Sequence, residues 1–155
     1  IAGHEQNPGA ANPLSPGSGS VQVLRNRIQG NQAGSGDGGG IALRFVNGQD
    51  VRPVIGAAAT ARSSWHSVDI LNNLIVNNVA GYRGGAISLL DALNASIINN
   101  TIANNDSTAT AAGALTPTLN SSNPQPAGLA ILRRGAPDRE DDLVGFCGRL
   151  RRDHT

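Results

Sequence analysis

Five acids stand in the middle of the chain, Asp37, Asp50, Asp69, Asp91 and Asp106. Two carboxylates at a fixed separation would suit glycoside hydrolysis, and several converging on one point would suit calcium. Asp69, between Val68 and Ile70, is expected to face outward, and Asp91 follows the strand-like Ile87–Leu90. The two are catalytic candidates if the fold brings them together across successive units. Trp65 and His66, with Tyr82 and Arg83 further along, join aromatic rings to polar neighbours. Such groups can stack on sugar rings and bond to their hydroxyls; equally, Trp65 can cap a loop and Arg83 can anchor a turn. These four are the ligand-binding candidates.

Other constellations fail on spacing. His66 has no second His or Cys at metal-ligand distance along the chain, and His4 and His154 lie near the ends. Cys147 is the single cysteine, which excludes an internal disulfide and argues against a thiolate zinc site. The serines lack a G-x-S-x-G elbow. Gly34-x-Gly36-x-x-Gly39 would need a helix after it to hold a dinucleotide, whereas Ile41-Ala42-Leu43 reads as a strand. The acid in that stretch, Asp37, has no recurring counterpart, unlike the Gly- and Asp-rich calcium repeats, so a turn is expected there. No metal and no cofactor are expected.

The elements that must position these groups announce themselves by repetition. Residues 70–77 read ILNNLIVN and residues 97–104 read IINNTIAN. Asparagine is a poor strand former and costly to bury unpaired, so its recurrence inside apolar runs needs a recurring cause. Aligned on N-x-I-x-x-N, three copies begin at Asn26, Asn73 and Asn100 and end at Asn31, Asn78 and Asn105. Val23, Ile70 and Ile97 precede the first Asn by three residues, and Ile28, Ile75 and Ile102 follow it by two. Further on, GGGI, GGAI and AGAL end in Ile41, Ile87 and Leu115. The copies are 47 and 27 residues apart, so about 20 extra residues are placed in an insertion at 48–66. Apolar residues alternate within each copy, the period of a strand with one buried face.

These motifs, VDILNNLIVNNVAGYRGGAISL and ASIINNTIANNDSTATAAGAL, with VQVLRNRIQGNQAGSGDGGGIAL as a weaker copy, resemble the right-handed parallel β-helix of the pectin-lyase-like superfamily found in bacterial secreted and cell-surface proteins. The resemblance spans roughly residues 21–119. It implies an all-β solenoid of about three coils, an extracellular or cell-surface location, and a glycan or the rest of a longer solenoid as partner. That superfamily hosts lyases, hydrolases, adhesins and scaffolds, so two functions stay open. One is a non-catalytic repeat presenting a sheet and loops to carbohydrate or protein. The other is a fragment of a polysaccharide lyase or glycoside hydrolase. In lyases of this kind carboxylates hold calcium while a Lys or Arg abstracts the proton beside a uronate carboxyl. Arg83 would be that base, and calcium would enter only under this reading.

On such a fold equivalent residues of neighbouring coils lie about 4.8 Å apart, within reach of amide-to-amide hydrogen bonds. Two asparagine ladders are therefore expected, Asn26/Asn73/Asn100 and Asn31/Asn78/Asn105. Apolar stacks Val23/Ile70/Ile97, Ile28/Ile75/Ile102 and Ile41/Ile87/Leu115 should run beside them. The second Asn of each pair belongs at the bend, with Asn99 the less constrained of its pair. Of four glycosylation sequons, at Asn94, Asn99, Asn105 and Asn120, that at Asn105 would fall inside a ladder.

Composition agrees with a thin, turn-rich core. Aromatic residues are 3%, Gly numbers 20, and the net charge of +1 gives no footprint for nucleic acid or an anionic membrane. No apolar run reaches the roughly 20 residues of a membrane helix. The absence of Met suggests a processed product or a fragment. Residues 1–20 read as an irregular segment or partial coil, and 120–155 as a linker and charged tail. That tail is readable as a capping helix over Pro137–Arg152, as disorder, or as a non-native frame; Gly145 and Gly148 weigh against the helix.

Overall fold

The computed structural model describes residues 16–47, 65–92, 94–116 and 121–132. The N-terminal 15 residues, most of the 48–66 insertion with Asp50, the Asn120 sequon, and the 133–155 tail with Cys147 and its expected helix lie outside the described residues.

Strand β1 is Val21–Leu24, β2 Arg27–Gln29, β3 Gln32–Ala33 and β4 Ile41–Arg44. The series recurs as β5 Ser67–Leu71, β6 Leu74–Val76, β7 Val79–Ala80 and β8 Ile87–Leu90. A third pass gives β9 Asn94–Ile98, β10 Thr101–Ala103 and β11 Asp106–Ser107, then a 3₁₀ turn at Ala112–Ala114. It continues through β12 Leu115–Thr116 and β13 Ser121–Ser122 to β14 Leu129–Leu132. Corresponding strands pair in parallel into four three-stranded sheets, β1-β5-β9, β2-β6-β10, β3-β7-β11 and β4-β8-β14. The chain visits them in the same order each time, a β-solenoid-like arrangement. Among the described residues the fold is all-β, apart from that 3₁₀ turn.

Register follows the apolar alternation. Val23, Ile70 and Ile97 align across the first sheet, and Ile28, Ile75 and Ile102 across the second. Inward-facing Val68, Ile70, Ile75, Ile87 and Leu89 of the middle pass are fully buried, because they have a pass on either side. Burying each such side chain contributes about 1.5–3 kcal/mol.

The third stack differs from expectation. Ile41 and Ile87 are in register, but their third member is Leu129, not Leu115. Leu115 pairs antiparallel with Ser122 in the β12–β13 hairpin and is 54% exposed. AGAL and the later AGLAIL both place small residues before an apolar one, and ladder length decides between them. Pro117 lacks the N–H a parallel ladder needs just after Thr116, whereas Leu129–Leu132 matches Ile87–Leu90 over four residues. The parallel sheets thus extend to residue 132, into the segment read as linker and tail.

The bends explain why asparagines come in pairs. Asn72, Asn77, Asn99 and Asn104 all take left-handed backbone, with φ of 58°, 55°, 54° and 51°. Arg25 and Gly30 take it at the matching positions of the first pass. Asparagine tolerates this region better than other non-glycine residues. The first Asn of each pair therefore makes the bend, and Asn99, expected to be the freer residue, is held at it.

Candidate functional site

The second Asn of each pair faces its counterparts. Oδ1 of Asn73 accepts from the backbone N–H of Asn26 at 2.9 Å and from its Nδ2 at 3.2 Å. Oδ1 of Asn100 accepts in the same way from Asn73, at 2.8 and 2.9 Å. The column Asn31, Asn78, Asn105 repeats this pattern at 2.9–3.0 Å. Spare Nδ2 protons reach carbonyls of the preceding pass, from Asn73 to Val23 and from Asn78 to Ile28. Asn73 and Asn78 are buried, and this fully bonded arrangement is what allows it. With donors and acceptor engaged inside the stack, the amides of Asn73 and Asn78 have no capacity left for a ligand.

Tyr82 and Arg83 lie in the turn between β7 and β8, stacked on residues 36–38 of the turn before β4. The Tyr82 N–H donates to the Gly36 carbonyl at 3.1 Å, and the Gly38 N–H donates to that of Arg83 at 3.0 Å. The Asp37 carboxylate, 8% exposed, lies between two guanidiniums. Arg44 Nη2 is 3.4 Å away and Arg83 Nε 3.8 Å, and the Arg83 backbone N–H also donates to it at 3.4 Å. The Arg83 guanidinium covers the Tyr82 ring 4.0 Å from its centroid, a cation–π contact. The Tyr82 hydroxyl donates to the Gly113 carbonyl, and the Ser107 hydroxyl donates to the Tyr82 carbonyl. A Cβ on Gly113 would approach the Tyr82 Cζ to 3.1 Å, so the next pass abuts the phenol. The group clamps three passes together at one corner.

Trp65 and His66 stand at another corner, immediately before β5, with the β4-β8-β14 sheet between the two corners along the chain path. The His66 N–H donates to Oδ1 of buried Asn47 at 2.8 Å, joining the two sides of the insertion. The four aromatic and polar candidates are therefore divided between two corners rather than gathered into one cleft.

The two acids sit on different elements. Asp69 sits mid-strand on the outward face of β5, in register with Gln22 and Ser96, neither of which is acidic. Asp91 lies just past β8 in a left-handed bend with φ of 54°, and its N–H donates to the Leu132 carbonyl at 3.0 Å. Among the described residues no three His, Cys, Asp or Glu side chains come together as a metal site. No protein-family model, no curated protein and no solved structure matches the chain.

Residue-by-residue reading passes over the Asp37–Arg44–Arg83 group and Asn47. A signal for the first is present: Asp37 and Arg83 occupy equivalent places, each directly before a Gly-Gly, with opposite charge. Stacking equivalent residues of neighbouring passes turns that pattern into an ion pair. Asn47 has no comparable signal, because its partner is a backbone N–H across an insertion of arbitrary length.

Proposed function

We propose that the chain is a right-handed parallel β-helix of three coils, of pectin-lyase-like type, within a larger bacterial secreted or surface protein. In this reading it is a non-catalytic repeat that offers sheet faces and loops to carbohydrate or protein. Four parallel sheets visited in constant order support the helix, and parallel crossovers are right-handed in about 98% of cases. One observation carries the non-catalytic reading: the candidate groups sit on different elements or are already engaged. Asp69 has Gln22 and Ser96 as its ladder neighbours, and Arg83 is held by Asp37 and Tyr82. Hydrolysis by an acid pair needs a second carboxylate facing Asp69, and proton abstraction by arginine needs a neutral guanidine not already held by a carboxylate.

The test incubates the chain with a panel of acidic polysaccharides, with and without calcium. Binding without new unsaturated or reducing ends is the expected outcome. Turnover of any member would replace this reading with that of a carbohydrate-active lyase or hydrolase fragment, and calcium dependence would favour the lyase. Failure to bind any glycan would remove carbohydrate from the proposal and leave protein binding.

A further inference from the structure

At the Asp37 corner the charges do not balance. The guanidiniums of Arg44 and Arg83 share one carboxylate, and among the described residues neither meets another acid. Burial separates the signs. The Asp37 side chain is 8% exposed, whereas those of Arg83 and Arg44 are 27% and 51% exposed. The corner therefore turns its positive charge to water and keeps its negative charge beneath. The shared contacts are also long. Arg44 reaches the carboxylate through Nη2, at 3.4 Å, and Arg83 Nε is buried without a hydrogen bond, 3.8 Å from Oδ1. Most N–H donors of the pair are left open, and a guanidinium presents them in a fixed fork suited to an oxyanion.

The corner is held in shape by its own contacts. The Tyr82 ring supports the Arg83 guanidinium at 4.0 Å, and the hydroxyl of that ring is tied to the Gly113 carbonyl. The Arg83 backbone N–H donates to the Asp37 carboxylate, which joins the two turns. Such preorganisation lowers the cost of binding. On the third pass the Thr110 N–H donates to the Gly81 carbonyl at 2.8 Å, which sets Thr108 and Thr110 beside the Tyr82 turn. Both threonines are exposed, and their hydroxyls are 2.9 Å apart. One corner thus carries exposed positive charge on two passes and hydroxyls on the third.

We infer that this corner binds the sulfate ester of an anionic glycan. The inference rests on the carbohydrate-binding reading above and names the group that is recognised. Like a phosphate monoester, a sulfate ester presents three acceptor oxygens, enough to accept from both guanidiniums at once. A uronate carboxylate fills a single fork. The threonine hydroxyls bond to hydroxyls of the sugar that carries the sulfate. A nucleic acid is a poorer match, since its backbone calls for a longer run of cations than a chain of net charge +1 offers. Asp37 competes with the sulfate for the same donors.

Surface plasmon resonance of the whole chain over immobilised dextran sulfate, polygalacturonate and unmodified dextran, at one salt concentration, tests this. Binding to dextran sulfate is expected, with weaker binding to polygalacturonate and none to dextran. Arg44→Gln should weaken binding to dextran sulfate about three- to fivefold, the upper range for an exposed ion pair. Asp37→Asn removes the competitor and should tighten binding by a similar factor. Arg27→Gln removes the same charge from the second sheet and should leave binding nearly unchanged. Thermal melting checks that each variant is folded; should Asp37→Asn not fold, Arg44→Gln against Arg27→Gln decides alone. Equal losses from those two would overturn the site in favour of diffuse attraction of a polyanion to the surface. Looser binding by a folded Asp37→Asn chain would overturn it as well, because the carboxylate would then assist rather than compete. Preference for polygalacturonate would overturn sulfate as the ligand. Binding to no glycan would overturn the inference together with the carbohydrate reading, whereas glycan binding indifferent to Arg44 would overturn the inference alone.

Discussion

In the dipeptides Asn72-Asn73 and Asn99-Asn100, two identical side chains do different work. Asn72 serves through its backbone, at φ 58°, and Asn73 through its amide, which accepts from Asn26 and donates to Val23 and Asn100. Substitution separates the two roles. Asn72→Gly should change stability by less than about 0.5 kcal/mol, because glycine adopts the same bend without strain. Asn73→Ala should cost about 1–3 kcal/mol, since it leaves part-buried groups of Asn26, Val23 and Asn100 short of a partner. Urea unfolding of both variants beside the parent measures the difference, and equal losses would contradict this division. The ladder residues are legible from spacing, because a polar residue that recurs at fixed intervals within apolar runs must find its partners in its own repeats. Which Asn of a pair bends and which stacks is not legible, because the types are identical and the roles differ in backbone angle.

At the scale of elements, the turn before each fourth-sheet strand brings backbone against backbone. Gly84 takes a left-handed φ of 65°, while a Cβ on Gly85 would collide with the carbonyl oxygens of Asp106 and Ala127 on the next pass. Nothing lies within 4 Å of a Cβ placed on Gly34. Gly85→Ala should therefore cost about 1–3 kcal/mol through forced backbone movement, whereas Gly34→Ala should be tolerated. Thermal melting of the two variants checks this, and similar melting points would count against backbone stacking. The motif GGGI/GGAI marks this turn correctly in the sequence, but AGAL before Leu115 is a false third copy. The mismatch has a physical origin. Small-then-aliphatic patterns are common in an Ala- and Gly-rich chain, and only the length of the ladder beyond, four residues at Leu129–Leu132, picks the true partner of β8.

For the whole molecule, the middle pass is the only one of the three sandwiched between two others among the described residues, and stability should be distributed accordingly. Ile75→Ala removes a fully buried side chain and should cost about 2–5 kcal/mol. Ile102→Ala, at a stack end and 36% exposed, should cost less than about half as much in the monomer. Denaturant unfolding in dilute solution gives both values, and equal losses would mean that the third pass is covered. The sheets and their order are legible in the sequence because the repeat is long and regular. The placing of Asp69 and Asp91 on different elements, and of Trp65 and His66 at a different corner from Tyr82 and Arg83, is not. Distance along a wound chain does not reveal which corner a residue occupies.

The bond from His66 to Asn47 has a consequence of a different kind. It closes the point where the chain leaves the stack and the point where it returns, using one amide oxygen and a backbone N–H. Those two points are fixed by the passes they belong to, so the register of β4 and β5 does not depend on the length of what lies between them. Loop-closure cost rises only slowly with added residues, by about 0.6 kcal/mol per doubling. The junction therefore acts as a socket at which sequence can be exchanged while the winding is preserved, and new surface can be acquired there without redesigning the repeat.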